Sequence, residues 1–364
     1  MQEIQTRIIS IDPQHPDIQQ IEQAAELLLH GQLVVFPTET VYGLGANALD
    51  TQAVEQIFTA KARPYSDPLI VHIADEDALE SLVTSVPESA RLLAKTFWPG
   101  PLTMILPASK RIPRLVTAGL PNVAIRMPNH PIARALIRIA GIPVAAPSAN
   151  RFMHISPTTA QHVYADLHGR VPLILDGGPC AVGVESTVID LCSAVPTILR
   201  PGGISLEALR SILPDIQPPL ARSDSHEQGT IAHQSAPGQM LIHYAPTIPT
   251  FLFEGTTSIM LTAMLKEIQR RQQLGEQVGI LVTDEDLPTF RESKAIVYSL
   301  GRTPEHIAAQ LFAGLRTLEE AGVDVILCRN FDPQGLGLAV RDRLLKAAGG
   351  KIIRSSGSKN RVDL

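Results

Sequence analysis

The chain has 364 residues, 45% of them hydrophobic and 4% aromatic, with a formal net charge of −5. Such a length exceeds one ordinary core and implies two domains, and the acidic balance excludes broad nucleic-acid binding while permitting a local basic cleft for one anion. Cys180, Cys192 and Cys328 are odd in number, far apart and without a CxxC, and no apolar run approaches the ~20 residues that span a bilayer; the expectation is a soluble cytoplasmic protein with reduced thiols, no disulfide framework, no zinc site and no membrane contact.

In chain order, Asp17 to His30 carries Ile18, Ile21, Ala25, Leu28 and Leu29 at helical spacing, with Gly31 as the stop. Leu33 to Phe36 reads as a buried strand that breaks into a Gly-rich turn through Pro37-Thr38-Glu39-Thr40-Val41-Tyr42-Gly43-Leu44-Gly45. Thr51 to Ala62 is helical. Leu69 to Ile73 is a strand, Pro87 to Phe97 a helix, Leu102 to Leu106 and Val123 to Arg126 strands, and Pro131 to Ala140 a helix. Leu173 to Leu175 and Thr187 to Leu191 are strands, and Gly202 to Leu213 is a closing helix. This alternation predicts an α/β domain over 1–213, and the strand-rich stretch from Thr187 to Leu199 predicts a mixed sheet. Residues 214–247 lose all apolar period and read as a linker, or as a lid ending in His243-Tyr244. Over 248–364 strands and helices alternate again, giving a small Rossmann-like α/β domain without GxGxxG; its tail after Gly349 reads as frayed.

Several side chains carry two readings. Lys61 and Arg63 near a helix end fit a solvated cap on the helix dipole, or two cations for phosphates. His72 fits a satisfied core histidine or a substrate partner. Arg126 at a strand end fits a rim ion pair or a carboxylate fork. Ser156 before Pro157 fits a helix N-cap, and Ser148, Asn150, Ser186 and Arg200-Pro201-Gly202-Gly203 fit turn chemistry or an anion site. There is no Walker A, HExxH or GxSxG sequence, so any ATP site is not a P-loop.

With PTETVYGLG (Pro37 to Gly45), KAR (Lys61 to Arg63), PLIVH (Pro68 to His72), FWPGPLT (Phe97 to Thr103), VAIRMPNH (Val123 to His130), APSAN (Ala146 to Asn150), SPTTA (Ser156 to Ala160), ESTVID (Glu185 to Asp190), LRPG (Leu199 to Gly202) and GLGLAVRDRLLKAA (Gly335 to Ala348) in this order, the chain resembles the two-domain threonylcarbamoyl-AMP synthases. The resemblance implies a YrdC-like twisted mixed sheet with helices, joined by a long linker to the small Rossmann-like domain. It implies an enzyme that joins L-threonine, bicarbonate and ATP into threonylcarbamoyl-AMP and pyrophosphate, for N6-threonylcarbamoyl modification of tRNA adenosine. By similarity Lys61, Arg63, Asp67, Asn122, Ser148, Asn150, Ser156, Arg200 and Tyr244 fall on ATP positions, with Lys61 and Arg63 as the catalytic cations. Thr38, Thr40, His72, Arg126, Ala146 and Ser186 fall around the threonine. Asp67 stands where relatives often have Asn, and Asn122 where many have Thr. Mg²⁺ is expected to arrive with ATP, held by phosphates and water rather than by a carboxylate cage. Downstream tRNA-modifying proteins are the expected partners. The alternatives are an RNA-binding module and carbamoyl transfer to another acceptor. The second is disfavoured because the related domains of hydrogenase-maturation proteins accompany zinc-finger-like cysteines, which are missing here.

Overall fold

The structure, a computed structural model, describes residues 4–219 and 245–354. It divides into two compact units, Met1–Phe152 with Ser156–Gln239, and Met153–Ile155 with Met240–Leu364. Most of the stretch read as linker and lid, with Tyr244, lies outside the described residues.

In the first unit, strands β1 (Arg7–Ser10), β2 (Val34–Phe36), β3 (Gly43–Asn47), β4 (Ile70–His72), β5 (Leu102–Pro107), β6 (Asn122–Arg126), β7 (Val144–Ala145), β8 (Leu173–Asp176), β9 (Thr187–Asp190) and β10 (Thr197–Arg200) form one ten-stranded sheet in the order β1-β8-β2-β3-β7-β4-β6-β5-β9-β10. The sheet is mixed, as expected: β1–β8, β8–β2, β4–β6 and β5–β9 are parallel, and the other pairs are antiparallel. Helices α1 (Ile18–Leu29), α2 (Thr51–Lys61), α3 (Leu79–Leu82), α4 (Glu88–Phe97), α5 (Pro131–Ala140), α6 (Ala160–Leu167) and α7 (Leu206–Arg210) accompany it. Local chemistry sets their ends. Asp17 accepts from Gln19 N to start α1, while Pro131 opens α5 and Gly141, at φ 65°, closes it.

The alternation of side chains across the strands separates two cores. Val35, Leu44, Val71, Met104, Ile125 and Ile189 point into one cluster, shared with α2, α4 and α6. Val34, Phe36, Val144, Leu173 and Leu175 point to the other face, covered by α1 and α5 through Ile21, Leu28, Ile132 and Leu136. Further along that second face lies a small apolar group, Ile70, Ile105, Ala124 and Val188. Its members alternate by two with His72, Thr103, Arg126 and Ser186, so those four polar residues lie on the same face.

Four expectations change. The glycines of the 37–45 segment do not form the turn: Gly43 and Gly45 lie in β3, and the turn is the hydroxyl-rich part before them. They stay bare because Phe36, on the paired strand, lies over them; a Cβ on Gly45 would sit 2.7 Å from Phe36 Cε1 and 2.9 Å from Val144 Cγ1. Second, Ser156 does not cap a helix. Thr159 caps α6, its hydroxyl accepting from His162 N. Third, the helix expected from Gly202 to Leu213 shrinks to Leu206–Arg210, because a Cβ at Gly202 would lie 2.3 Å from Glu185 O: the Gly turn is pressed against backbone rather than coiled. Fourth, the tail is not frayed throughout.

That last change belongs to the second unit. Strands β11 (Thr250–Glu254), β12 (Val278–Val282), β13 (Ile296–Ser299), β14 (Val325–Arg329) and β15 (Ile352–Arg354) form an all-parallel sheet, β13-β12-β14-β11-β15, with β15 pairing β11. Helices α8 (Thr257–Gln273), α9 (Leu287–Phe290), α10 (Pro304–Glu320) and α11 (Gly337–Ala347) connect the strands. Parallel strands with helical crossovers are the Rossmann-like feature, but the first and fourth strands are exchanged relative to the usual order. Strand β12 is buried along its whole length, as a central parallel strand should be.

The Phe36 ring over β3 yields a prediction. Gly45→Ala should destabilise the first unit by about 1–3 kcal/mol in urea unfolding, the usual cost of overpacking. Adding Phe36→Leu should return part of that loss; an unchanged midpoint for Gly45→Ala would contradict the packing described.

Candidate active site

The end of α2 is the first construction point. Ala62 takes the left-handed conformation (φ 53°), and its N–H and that of Arg63 bond back to the last turn. This stops the helix two residues before Pro64. Lys61 is not the solvated cap that its position allows: it is 1% exposed, and its Nζ donates to the carbonyls of Ser148 and Asn150. Burial first, and the Arg63 charge next, hold the Lys61 ammonium well below the usual lysine range. An ammonium so poorly solvated gains more from an arriving anion than a surface lysine would. Arg63 folds against its own turn, with Nη2 2.9 Å from Asp67 Oδ2 and also 2.9 Å from Pro68 O. Asp67 is 1% exposed, so the pair is internal.

Strand register then sets the end of the strands at which the remaining residues lie. In the parallel β4–β6 pair, His72 is opposite Arg126 and Ile70 opposite Ala124. Arg63 and Asp67 precede β4 and Asn122 begins β6, so these three sit at the leading end; His72 and Arg126 sit at the trailing end. At ~3.3 Å per residue the two ends of β6 are about 13 Å apart. Strand β7 runs the other way, with Val144 opposite His72 and Ala146 N donating to Ile70 O at 2.9 Å. Ser148 and Asn150 therefore return to the leading end, beside Lys61. Strands β5 and β9 put Thr103 opposite Arg126 and Ser186 next to Thr103, whose hydroxyls lie 2.7 Å apart. Arg200, last in β10, donates through Nη2 to Ser186 O at 2.9 Å and to Ser186 Oγ at 3.1 Å.

The turn between β2 and β3 closes the trailing end. Thr38 and Thr40 hydroxyls lie 2.8 Å apart, and Arg126 Nη1 donates to Thr40 Oγ1 at 2.9 Å. Ser156 is fully buried and donates to Glu185 Oε1 at 2.5 Å. Thus the leading group is Lys61, Arg63, Asp67, Asn122, Ser148 and Asn150, and the trailing group is Thr38, Thr40, His72, Arg126, Ser186 and Arg200. Ala146 lies between them. Arg200, placed by similarity with the leading cations, is bonded instead to Ser186. Tyr244 lies outside the described residues.

Residues that sequence reasoning passed over join the trailing group. Glu39 carries a carboxylate 2.6 Å from Arg126 Nη2, Thr103 touches Ser186, and Glu185 holds Ser156. All three lie inside motifs quoted for their neighbours, but in a turn or at a strand edge no periodicity tells which side chain faces inward. His130 is a fourth, its Nδ1 buried without a hydrogen-bond partner among the described residues, as is that of His72. Cys180 is buried, and burial followed by the Glu39 charge pushes its thiol far up, so it is no nucleophile. Among the described residues no group of three His, Cys, Asp or Glu could hold a metal ion, and no helix is long and apolar enough to cross a membrane.

Burial first, and the Arg126 charge next, lower His72 from 6.5 to about 3, while burial lowers His130 to about 4. Both rings are neutral near pH 7. The unfolded chain binds these protons first, so the stability they contribute is complete above about pH 6.5 and is lost as pH falls toward the folded values. Between pH 7 and pH 5, urea unfolding of the first unit should lose roughly 2 kcal/mol to His72 alone, and His72→Gln should lose that much less. Equal losses in the two proteins would refute the neutral ring.

Residues 26–202 match the family described as telomere recombination (Sua5, YciO, YrdC), and residues 204–349 match the threonylcarbamoyl-AMP synthase C-terminal domain. The chain is 48% identical over 339 residues to threonylcarbamoyl-AMP synthase of Bacillus subtilis (strain 168), covering 92% of this chain and 94% of that one. It is 45% identical over 335 residues to the Pyrococcus abyssi (strain GE5 / Orsay) enzyme of that name, covering 92% and 95%. The crystal structure of P. abyssi Sua5 complexed with L-threonine superposes with a TM-score of 0.89 at 43% identity, over 96% of this chain and 99% of that one. With both of its units matched and nearly its full length aligned, the chain belongs to the two-domain threonylcarbamoyl-AMP synthase family.

Proposed function

We propose that the chain makes threonylcarbamoyl-AMP from L-threonine, bicarbonate and ATP, releasing pyrophosphate, for N6-threonylcarbamoyl modification of tRNA. The observation that carries the reading is that polar residues gather at both ends of β6, which are about 13 Å apart, Asn122 at one and Arg126 at the other. A nucleotide and an amino acid laid end to end need such an arrangement: cations at one end, a small hydrogen-bonding nest at the other, and an apolar floor of Ile70, Ile105, Ala124 and Val188 beneath.

The chemistry asks little covalent work of the protein. Threonine's ammonium form and bicarbonate give the carbamate, water and one proton released to solvent; an N–C bond forms as a C–O bond of bicarbonate breaks. A carbamate oxygen then attacks the α-phosphorus and the bond to the pyrophosphate oxygen breaks. Catalysis is therefore positioning and charge neutralisation. Lys61 and Arg63 take the phosphates, with Asp67 fixing the Arg63 fork. Ser148, Asn150 and Asn122 complete the nucleotide side; Ser156, held by Glu185, and Tyr244, outside the described residues, are further ATP positions by similarity. Arg200, bonded to Ser186, is assigned to ATP by similarity. Arg126 takes the threonine carboxylate, and Thr38, Thr40, Ala146, Ser186 and the neutral ring of His72 surround the rest. Mg²⁺ would arrive with ATP, held by its phosphates and water, and would add positive charge there. The boundaries 1–213, 214–247 and 248–364 are proposed with it; most of the middle stretch lies outside the described residues. The substrates place the reaction in the cytoplasm, and proteins that transfer the threonylcarbamoyl group to tRNA are the partners that consume the product.

Pyrophosphate release should require ATP, L-threonine and bicarbonate together, and release without one of them would end this reading. A nest that bonds the threonine hydroxyl should reject valine on the order of 10⁴-fold, and serine, lacking one methyl, by only ~1–3 kcal/mol. Comparable rates with valine and threonine would show that the hydroxyl is not read.

A further inference from the structure

Glu39 is one of the trailing-end groups that the proposed mechanism leaves unused. It is 8% exposed and Arg126 4%, and they approach to 2.6 Å, yet the approach is off the hydrogen-bond directions. Both Glu39 carboxylate oxygens and Arg126 Nη2 lack hydrogen bonds among the described residues, while Arg126 Nη1 and Nε are engaged by Thr40 and Gly100. The Glu39 backbone is fixed, its carbonyl accepting from Val182 N at 2.7 Å. A buried ion pair is stable only when its remaining donors and acceptors are satisfied. This one is close, rigidly mounted and unsatisfied on both partners, which is the form of a site built for a third group carrying both signs.

We propose, resting on the amino-acid reading of this end, that Glu39 receives the α-ammonium of the amino-acid substrate while Arg126 takes its carboxylate. A zwitterion between them converts one misaligned pair into two aligned ones and leaves the buried charge balanced. An ammonium has three donors for two carboxylate oxygens, which are the atoms without hydrogen bonds. The assignment also gives the reaction a direction. Once the amine becomes a carbamate it carries a negative charge, and attraction by Glu39 turns to repulsion. The anion is then favoured on the side of Lys61 and Arg63, where the phosphates lie. Glu39 thereby selects amino acids over hydroxy acids and retains the substrate only until it is carboxylated.

The test is calorimetric titration of the full chain with L-threonine and with (R)-3-hydroxybutanoate, the same molecule without its amine. The original protein should prefer threonine by about tenfold or more, the worth of a charged hydrogen bond. In Glu39→Gln the preference should fall to within about threefold. Glu39→Asp, which keeps the charge, should retain the preference even if both ligands bind more weakly; it also serves if Glu39→Gln does not fold. If Glu39→Gln weakens both ligands by the same factor, so that the original preference survives, or if Glu39→Asp loses the preference, Glu39 is only the counterion of Arg126 and the proposal is overturned. If the original protein binds threonine but prefers the amine-free ligand or ignores the difference, the proposal again fails while the functional reading stands. No binding of threonine at all by the original protein would instead remove the functional reading, and this proposal with it.

Discussion

The parallel pairing of β4 with β6 is the constraint on which the site depends. One register places His72 opposite Arg126 and Ile70 opposite Ala124. Because side chains alternate, it also fixes which face every neighbour on β5, β7 and β9 presents. A slip of one residue would send His72 and Arg126 into the core held by Val71 and Ile125, and would bring those aliphatic side chains out to the polar face. The aliphatic residues of these short strands thus do more than stabilise: burying Val71, Met104, Ile125 and Ile189 on one side is what forces the charged and hydroxylated residues to the other.

Packing around this register explains why unusual residues are tolerated. Phe36 lies across Gly43 and Gly45 and meets the His72 ring edge-on, with centroids 6.2 Å apart. Bare strand positions therefore make room for an aromatic wall of the site. The Gly202 turn is likewise pressed against the backbone at Glu185 and Ser186, which brings Arg200 onto Ser186. In both places glycine is used for close approach rather than for a left-handed turn.

Electrostatically the two ends differ. At the leading end a desolvated ammonium and an arginine compete for the same negative potential, which favours a polyanion. At the trailing end Arg126 is balanced by Glu39, and the nearby histidines are held neutral. A neutral zwitterion suits that balance better than a bare anion does. The same sheet thus offers one end suited to a highly charged ligand and one suited to a neutral zwitterion.

Much of this was legible in the chain itself. Helical spacing ending in Gly31 and Gly141, short aliphatic runs, and Pro at the first position of α5 and α10 define the elements, because their causes are local. The ordered motifs identify the family. What the chain could not declare are relations between distant segments: that Gly43 and Gly45 belong to a strand, that Ser156 bonds Glu185 instead of capping α6, that β15 finds β11, and that Arg200 meets Ser186. Each depends on a partner many residues away and leaves no period behind. The same holds for Glu39 and Lys61. Their identities are plain in the sequence, but only the folded sheet decides that both are buried, because desolvation belongs to the surroundings of a side chain and not to the side chain alone.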